Sequence, residues 1–342
     1  MLGIGVIGYG YWGPNLVRNF HELAGSQVAM ICDLRSDRRS LAALRHPHTA
    51  ITQDYRKLLA SPDIDAVAIA TPVSTHFPLT MEALKSGKHV LVEKPLASSS
   101  EQVLRLLEEA ERVDRVLMVD HTFVYTGAVR KIRQLIEEGT LGDIYYYDAV
   151  RVNLGLFQHD VNVLWDLAVH DLSIMDHVLS VKPCGVSATG MRHVSGGLEN
   201  IAYLTLFFPN DLIGHVHVNW LAPTKIRRTL IGGTRKMIVY DDLEPSEKVK
   251  VYDRGITLRD EGERMYQMMV GYRTGDMWAP NVDLTEALTT EVQHFAHCIE
   301  HHRRPITDGE AGFRLVQILE AASRSLVNRG KMVELAGSRV LA

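Results

Sequence analysis

A chain of 342 residues with 46% hydrophobic and 23% charged side chains exceeds what one core usually serves, so two well-ordered domains are expected. The formal charge of −4 comes with Lys and Arg scattered along the chain, which excludes the basic stripe of a nucleic-acid binder; the absence of a long apolar run and of a basic leader argues against membrane insertion and export. Cys32, Cys184 and Cys298 are too widely spaced for a disulfide framework or a CxxC metal site and suit a reducing, cytoplasmic setting.

In the first third, short apolar runs alternate with helical patterns, and residues 3–7, 28–32, 66–70, 89–92 and 116–119 read as strands. Runs such as Ala66-Val67-Ala68-Ile69-Ala70 have no polar face, which fits parallel strands covered on both sides. The expected architecture over residues 1–120 is a doubly wound parallel sheet of the Rossmann type. Ser98 with Glu101 reads as a capping box opening a helix that runs to about Val113, and Gly87 and Gly139 fall where C-caps belong.

Beyond residue 120 the rhythm changes. Helices are expected near 128–138 and 166–179, then strands near 144–152, 185–192, 200–208, 212–220, 226–232, 235–240 and 247–252, and helices again near 284–301 and 312–328. Strands that follow strands imply a large, mostly antiparallel open sheet flanked by helices, making residues 121–342 the second domain and the whole chain α/β followed by α+β.

Gly8-Tyr9-Gly10-Tyr11-Trp12-Gly13 follows the first strand and opens a helix. In that context the spacing has a physical meaning: Gly8 permits the turn, Gly10 admits a pyrophosphate close to the backbone, and Gly13 lets helix and strand approach. Asp33 ends the second strand 20 positions after Gly13, where a carboxylate receives the adenosine ribose hydroxyls, with Leu34 and Arg35 beside it. The carboxylate favours NAD over NADP, although Arg35, Arg38 and Arg39 blunt that preference. Thr71-Pro72 and Glu93-Lys94 end later strands and are expected to border the cofactor, with His76 just beyond as either a cofactor contact or a cap.

Lys94 at a strand end, between Glu93 and Pro95, is an unusual place for a long charged side chain. Its ammonium would stabilise an alkoxide developing during hydride transfer, or it would merely pair with a structural carboxylate. Asp166 and His170 lie at i and i+4 in a helical pattern and share a face, as either a proton-exchanging pair or an exposed one. The histidines lack the close ligand spacing of a metal site, so no metal is expected, although Asp160, Asp166 and His170 could meet in space.

Taken together and in this order, Gly8 to Gly13, Asp33, Thr71-Pro72, Glu93-Lys94-Pro95 and the Asp166–His170 spacing resemble the Gfo/Idh/MocA family of oxidoreductases along essentially the whole chain. The resemblance implies an N-terminal NAD-binding domain and a C-terminal substrate domain whose open sheet forms homodimers or homotetramers. It implies that His170 is the acid/base, that Lys94 bonds the reacting hydroxyl, and that Asp166 touches substrate or tunes the histidine. His121 and Tyr125 would line the substrate pocket. Arg151 and Asn153 are comparable candidates or are structural, and Tyr11 and Trp12 flank the phosphate loop, Trp12 more as packing than chemistry.

The implied substrate is a small sugar or polyol. A nucleotide-linked sugar or amino-sugar precursor is favoured because Arg151 to Trp165, with Asn153-Leu154-Gly155-Leu156-Phe157-Gln158, is similar to relatives near such pathways; Arg227, Arg228 and Arg273 would line a diphosphate groove or stand in solvent. An inositol or free aldose is the alternative. An NAD-dependent glycosidase and a non-catalytic NAD sensor are the readings from other classes, and a sensor would typically lack Lys94 and His170.

Overall fold

The computed structural model describes residues 1–155, 160–194, 197–258 and 270–335. They pack as two units: residues 1–126 with 285–320, and residues 127–284 with the segment from 321 onward.

In the first unit six parallel strands, β1 (Leu2–Ile7), β2 (Ser26–Cys32), β3 (Ala50–Thr52), β4 (Ala66–Ile69), β5 (His89–Glu93) and β6 (Leu117–Asp120), lie in the order β3-β2-β1-β4-β5-β6. The order reverses between β1 and β4, which opens a crevice beyond their carboxyl ends. The connections are α1 (Gly13–Glu22), α2 (Ser36–Arg45), α3 (Tyr55–Leu59), α4 (Val73–Lys85) and α5 (Ser100–Arg112). β3 was not expected; it is a three-residue edge strand with no buried residue, so it carries no apolar run to detect. The cap of α5 also differs from expectation. Ser99 accepts from the Gln102 amide at 3.2 Å, while Ser98 donates to the Gln102 side chain at 2.9 Å, so the box is shifted by one residue. Gly87 and Gly139 close their helices at φ of 74° and 69°.

Residues 285–320 return to this unit, where a single cut at residue 120 would not have put them. After the second-unit helices α6 (Gly127–Glu137) and α7 (Val169–Val178) comes α8 (Ala287–Glu300). It buries Leu288, Val292 and Phe295 against Phe20, Met118 and Tyr125 in the apolar core of the first unit. That stripe has helical period, and burying it against the sheet outweighs its distance along the chain. The long helix α9 (Gly309–Val327) begins in the first unit and ends in the second.

Among the described residues the second unit holds nine strands: β7 (Ile144–Leu154), β8 (Gly185–Met191), β9 (Ile201–Phe207), β10 (Ile213–Asn219), β11 (Leu221–Gly233), β12 (Met237–Asp241), β13 (Val249–Leu258), β14 (Val270–Trp278) and β15 (Val333–Glu334). Their order is β14-β13-β12-β11-β7-β10-β9-β8-β15. The β7–β10 pair is parallel and the other neighbouring pairs of this sheet are antiparallel. The alternation expected of a sheet with one covered face is clear in β9, where Ala202, Leu204 and Leu206 are buried and Tyr203 is 43% exposed. β14 and β15 escaped the sequence reading because one is rich in polar residues and Gly and the other is two residues long. Among the described residues no helix is long and apolar enough to cross a membrane.

Candidate active site

The glycine loop after β1 has the steric form that its spacing implies. Gly8 sits at φ 97°, and a Cβ there would come within 2.3 Å of the Ala70 carbonyl oxygen. A Cβ on Gly13 would lie 2.0 Å from the Gly8 carbonyl oxygen, whereas one on Gly10 would meet no atom within 4 Å. Gly8 and Gly13 are therefore demanded by the fold, whereas the backbone at Gly10 faces open space. Helix α1 starts just beyond with no side-chain cap and no acidic residue in its first turn, which leaves its amide dipoles available to an anion.

Asp33 stands beside this loop. Its Oδ2 accepts the Tyr9 amide at 2.7 Å and its Oδ1 accepts the Arg35 amide at 2.8 Å. The basic residues that follow are committed elsewhere: Arg35 pairs with Asp37 at 2.7 Å, and Arg39 donates to the carbonyls of Asp33 and Leu34 at 3.0 and 2.8 Å. Tyr11 and Leu34 are 90% and 84% exposed, so they are open flanks of the loop. The open space over Gly10, the α1 amides and the Asp33 carboxylate suit a dinucleotide, whose pyrophosphate and ribose they would hold.

On the same sheet edge, Thr71 follows β4 and accepts a hydrogen bond from Thr75 at 2.7 Å, with exposed Pro72 capping α4. His76 is 1% exposed, and its two ring nitrogens lie 2.8 Å from the carbonyl oxygens of Thr71 and Pro95. Carbonyls only accept, so whichever ring nitrogen carries the proton donates to the carbonyl facing it. The position thus fastens the Thr71 loop to the loop of Lys94, whose peptide to Pro95 is cis.

Lys94 leaves the end of β5 half-buried, and its amide donates to the Glu93 carboxyl at 3.0 Å. Burial and the neighbouring Asp120 charge push the Glu93 carboxyl well above the ordinary carboxylate range, with Lys94 pulling the other way. Trp12 donates its indole N–H to Asp120 at 2.6 Å, a polar tie in place of simple packing. His121 is buried, and Tyr125 is buried with its hydroxyl 3.0 Å from that of Thr307.

Two residues here were missed by the sequence reading, Asp120 and Glu291. Asp120 ends β6 as Asp33 follows β2. Glu291 shares the apolar stripe of Leu288, Val292 and Phe295 and is 0% exposed. A carboxylate at a core position of an amphipathic pattern was the available signal.

In the second unit the expected helix from 166 opens as a π turn, Leu164–Ala168, that runs directly into α7. Asp166 and His170 therefore straddle a π-to-α junction, a distortion frequent at functional sites. Both are half-buried, and Asp166 accepts the Trp220 indole N–H at 3.1 Å. Arg151 is buried and donates to both oxygens of Asp171 at 2.7 and 3.1 Å, which favours the structural of its two readings. Asn153 lies two residues along β7, on the same face by strand alternation. Arg227, Arg228 and Arg273 pair with Asp242, Asp241 and Asp253 at 3.0, 2.8 and 2.9 Å. Residues 156–158 of the Asn153–Gln158 segment lie outside the described residues. Among the described residues, no group of three or more His, Cys, Asp or Glu is arranged to hold a metal ion.

Residues 2–121 match the profile of an oxidoreductase family with an NAD-binding Rossmann fold, and residues 129–239 match the C-terminal domain of the same family. The chain belongs to the Gfo/Idh/MocA family. It is 26% identical over 350 residues to scyllo-inositol 2-dehydrogenase (NAD(+)) of Bacillus subtilis, covering 98% of this chain and 95% of the relative. It is 28% identical over 325 residues to UDP-N-acetylglucosamine 3-dehydrogenase of Acidithiobacillus ferrooxidans, covering 91% and 93%. A levoglucosan dehydrogenase solved with NADH shares the fold, with a TM-score of 0.82, 22% identity and coverage of 98% and 99%. As a Gfo/Idh/MocA member the chain falls among NAD-dependent dehydrogenases of sugars and polyols.

Proposed function

We propose that this enzyme transfers a hydride between NAD(H) and a hydroxyl-bearing carbon of a nucleotide-linked sugar or amino-sugar precursor, with Lys94, Asp166 and His170 as its catalytic residues. The observation that carries this reading is Lys94 at the carboxyl end of β5, on the sheet edge that bears the open Gly10 cradle and Asp33. The nicotinamide ring supplies the hydride acceptor or donor.

The chain's own residues handle charge and protons. The Lys94 ammonium stabilises the alkoxide that develops on the reacting oxygen. His170 takes the hydroxyl proton during oxidation and returns it during reduction. Asp166, fixed by Trp220, orients the imidazole or holds a substrate hydroxyl. Gly8, Gly10, Gly13 and the flanking Tyr11 and Trp12 receive the pyrophosphate side, Asp33 with Leu34 and Arg35 receives the adenosine side, Thr71 and Pro72 border the ribose and pyrophosphate side, and Glu93 borders the cofactor at the end of β5, with His76 holding two of these loops. His121, Tyr125, Arg151 and Asn153 complete the substrate region, Tyr125 and Arg151 by support more than by contact. The half-exposed face carrying Tyr203 and Ile213 supports a homodimer or homotetramer through the open sheet, and the reducing setting of three free cysteines supports a cytoplasmic site.

The relative that acts on UDP-N-acetylglucosamine supports the nucleotide-linked substrate. One structural observation favours a free cyclitol instead: Arg227, Arg228 and Arg273 already face carboxylates and form no unbalanced basic groove. Nicotinamide absorbance with a panel of inositols, aldoses and nucleotide sugars separates the two. Lys94→Ala and His170→Ala are expected to lower kcat by about 10²–10⁴-fold on the responding class while NADH still binds. Silence across the panel from wild-type protein that binds NADH would overturn the dehydrogenase reading.

A further inference from the structure

Three carboxyl groups converge where β5 and β6 end. Strand pairing sets Glu93 beside Asp120, and α8 inserts Glu291, fully buried and with no hydrogen-bond partner among the described residues on either carboxyl oxygen, into the field of Asp120 and Glu93. Asp120 is the hub. Its Oδ2 accepts the Trp12 indole N–H and its Oδ1 accepts the Thr122 hydroxyl, both at 2.6 Å. The cation acting on the group is Lys94, through Glu93.

Three carboxylates beside one ammonium, with Asp120 and Glu291 buried, would repel one another, and Glu93 and Glu291 are the two held toward the protonated form. Asp120 has two donors directed at it, the Trp12 indole N–H and the Thr122 hydroxyl. Glu291 is pushed well above the ordinary carboxylate range by burial first and the Asp120 charge second. An acid proton between two carboxyl oxygens turns repulsion into a hydrogen bond to a charged acceptor.

We propose that Glu291 is a positioning residue: as a neutral acid it donates to Asp120, and through Asp120 it fixes Trp12 at the head of α1 and the end of β5 that carries Lys94. The link to Lys94 rests on the function proposed above, whereas the link to Trp12 needs only the NAD site. Trp12 is the N-cap of α1, so a displaced Asp120 shifts the amides that meet the pyrophosphate.

The test reads NADH affinity by calorimetry from about pH 6 to about pH 9.5 in wild type, Glu291→Gln and Glu291→Ala, with circular dichroism to confirm folding. The groups facing Glu291 are Glu93 and Lys94 from the end of β5, Asp120 and His121 from the end of β6, and Tyr125 from the following turn, with His294 on α8 against the Tyr125 ring. They are common to wild type and Glu291→Gln, so the difference between those two profiles isolates Glu291. Wild type is expected to lose about tenfold in affinity as Glu291 ionises. The amide of Glu291→Gln donates as the acid does, so this variant should match the wild-type affinity at low pH and lose less than half as much at high pH. Glu291→Ala should bind about tenfold more weakly throughout. An unaltered pH profile in Glu291→Gln, or an affinity as weak as expected of the alanine variant, overturns the proposal even if Glu291→Ala does not fold. Lys94→Ala turnover judges the chemical assignment separately, because that variant leaves the Glu291–Asp120 contact in place.

Discussion

Each unit buries charged side chains, and each offsets the cost by a different route. In the first, Glu93, Asp120 and Glu291 meet without a guanidinium, and two of them are pushed upward in pKa by burial and by Asp120. In the second, Arg151 and Asp171, 4% and 3% exposed, form a two-point ion pair. A cluster that keeps protons stays responsive to pH and to nearby charge, as befits the region proposed to meet a charged cofactor. An ion pair of a guanidinium with a carboxylate is fixed across that range. The fixed pair lies under α7, whose second residue is His170 and whose Asp171 carbonyl also accepts the Tyr147 hydroxyl at 2.9 Å. It serves as the rigid seat of the histidine.

The largest effect is expected from breaking that seat. Asp171→Ala leaves a guanidinium buried without its carboxylate and should cost about 3–5 kcal/mol in urea unfolding. The double variant Arg151→Met with Asp171→Leu should recover most of the loss, because an apolar pair of similar volume removes both desolvation costs. A loss under about 1 kcal/mol in Asp171→Ala would mean that water reaches the pair and that it does not anchor α7.

The two arrangements differed in how well the sequence revealed them. Gly8 to Gly13 and Asp33 were legible because turn sterics and a strand end are local properties that residue order encodes directly. Lys94 was legible as a charge out of place. The π turn at 164–168 was not, since Asp166 and His170 at i and i+4 suit an ordinary helix, and it is the surrounding contacts such as Trp220 to Asp166 that hold the wider turn. Glu291 was overlooked because a glutamate in a helix is normally solvated; only the return of α8 to the first sheet buries it. Arg151 was open between two roles until its partner appeared 20 residues away on α7. What escaped was set by long-range pairing.

A mid-sized effect sharpens the contrast through pH. In the second unit burial and Arg133 hold the His177 imidazole down at about 4, and its Nδ1 accepts from the Arg133 guanidinium at 3.0 Å. The unfolded chain binds this proton near the ordinary imidazole value, so stability is full above that value and falls as pH drops toward about 4. Glu93 and Glu291 act in the opposite sense. Their raised values favour the folded state while protonated, so their contribution declines as pH rises above the ordinary carboxylate range. Urea melts across pH should show an acid limb that His177→Gln reduces by on the order of 2 kcal/mol, while His89, held down at about 4 by burial and Arg115, keeps the remainder. If His177→Gln leaves the acid limb intact, other groups account for it and the imidazole is not held neutral.

The smallest effect lies at the surface, where the same guanidinium–carboxylate chemistry is wet. Arg228, with a side chain 55% exposed, meets Asp241 at 2.8 Å, and solvent screening should hold the stability cost of Arg228→Gln below about 1 kcal/mol. That small cost makes the substitution a clean probe of substrate, since any change in kinetics cannot be blamed on unfolding. If a diphosphate passes this strand, Arg228 exchanges Asp241 for the phosphates, and KM for a nucleotide sugar should rise severalfold in Arg228→Gln with kcat held. If the substrate is a free cyclitol, KM stays at the wild-type value, because the arginine answers only to Asp241. The exposed pair thus separates the two substrate readings by the weakness that makes it irrelevant to the fold.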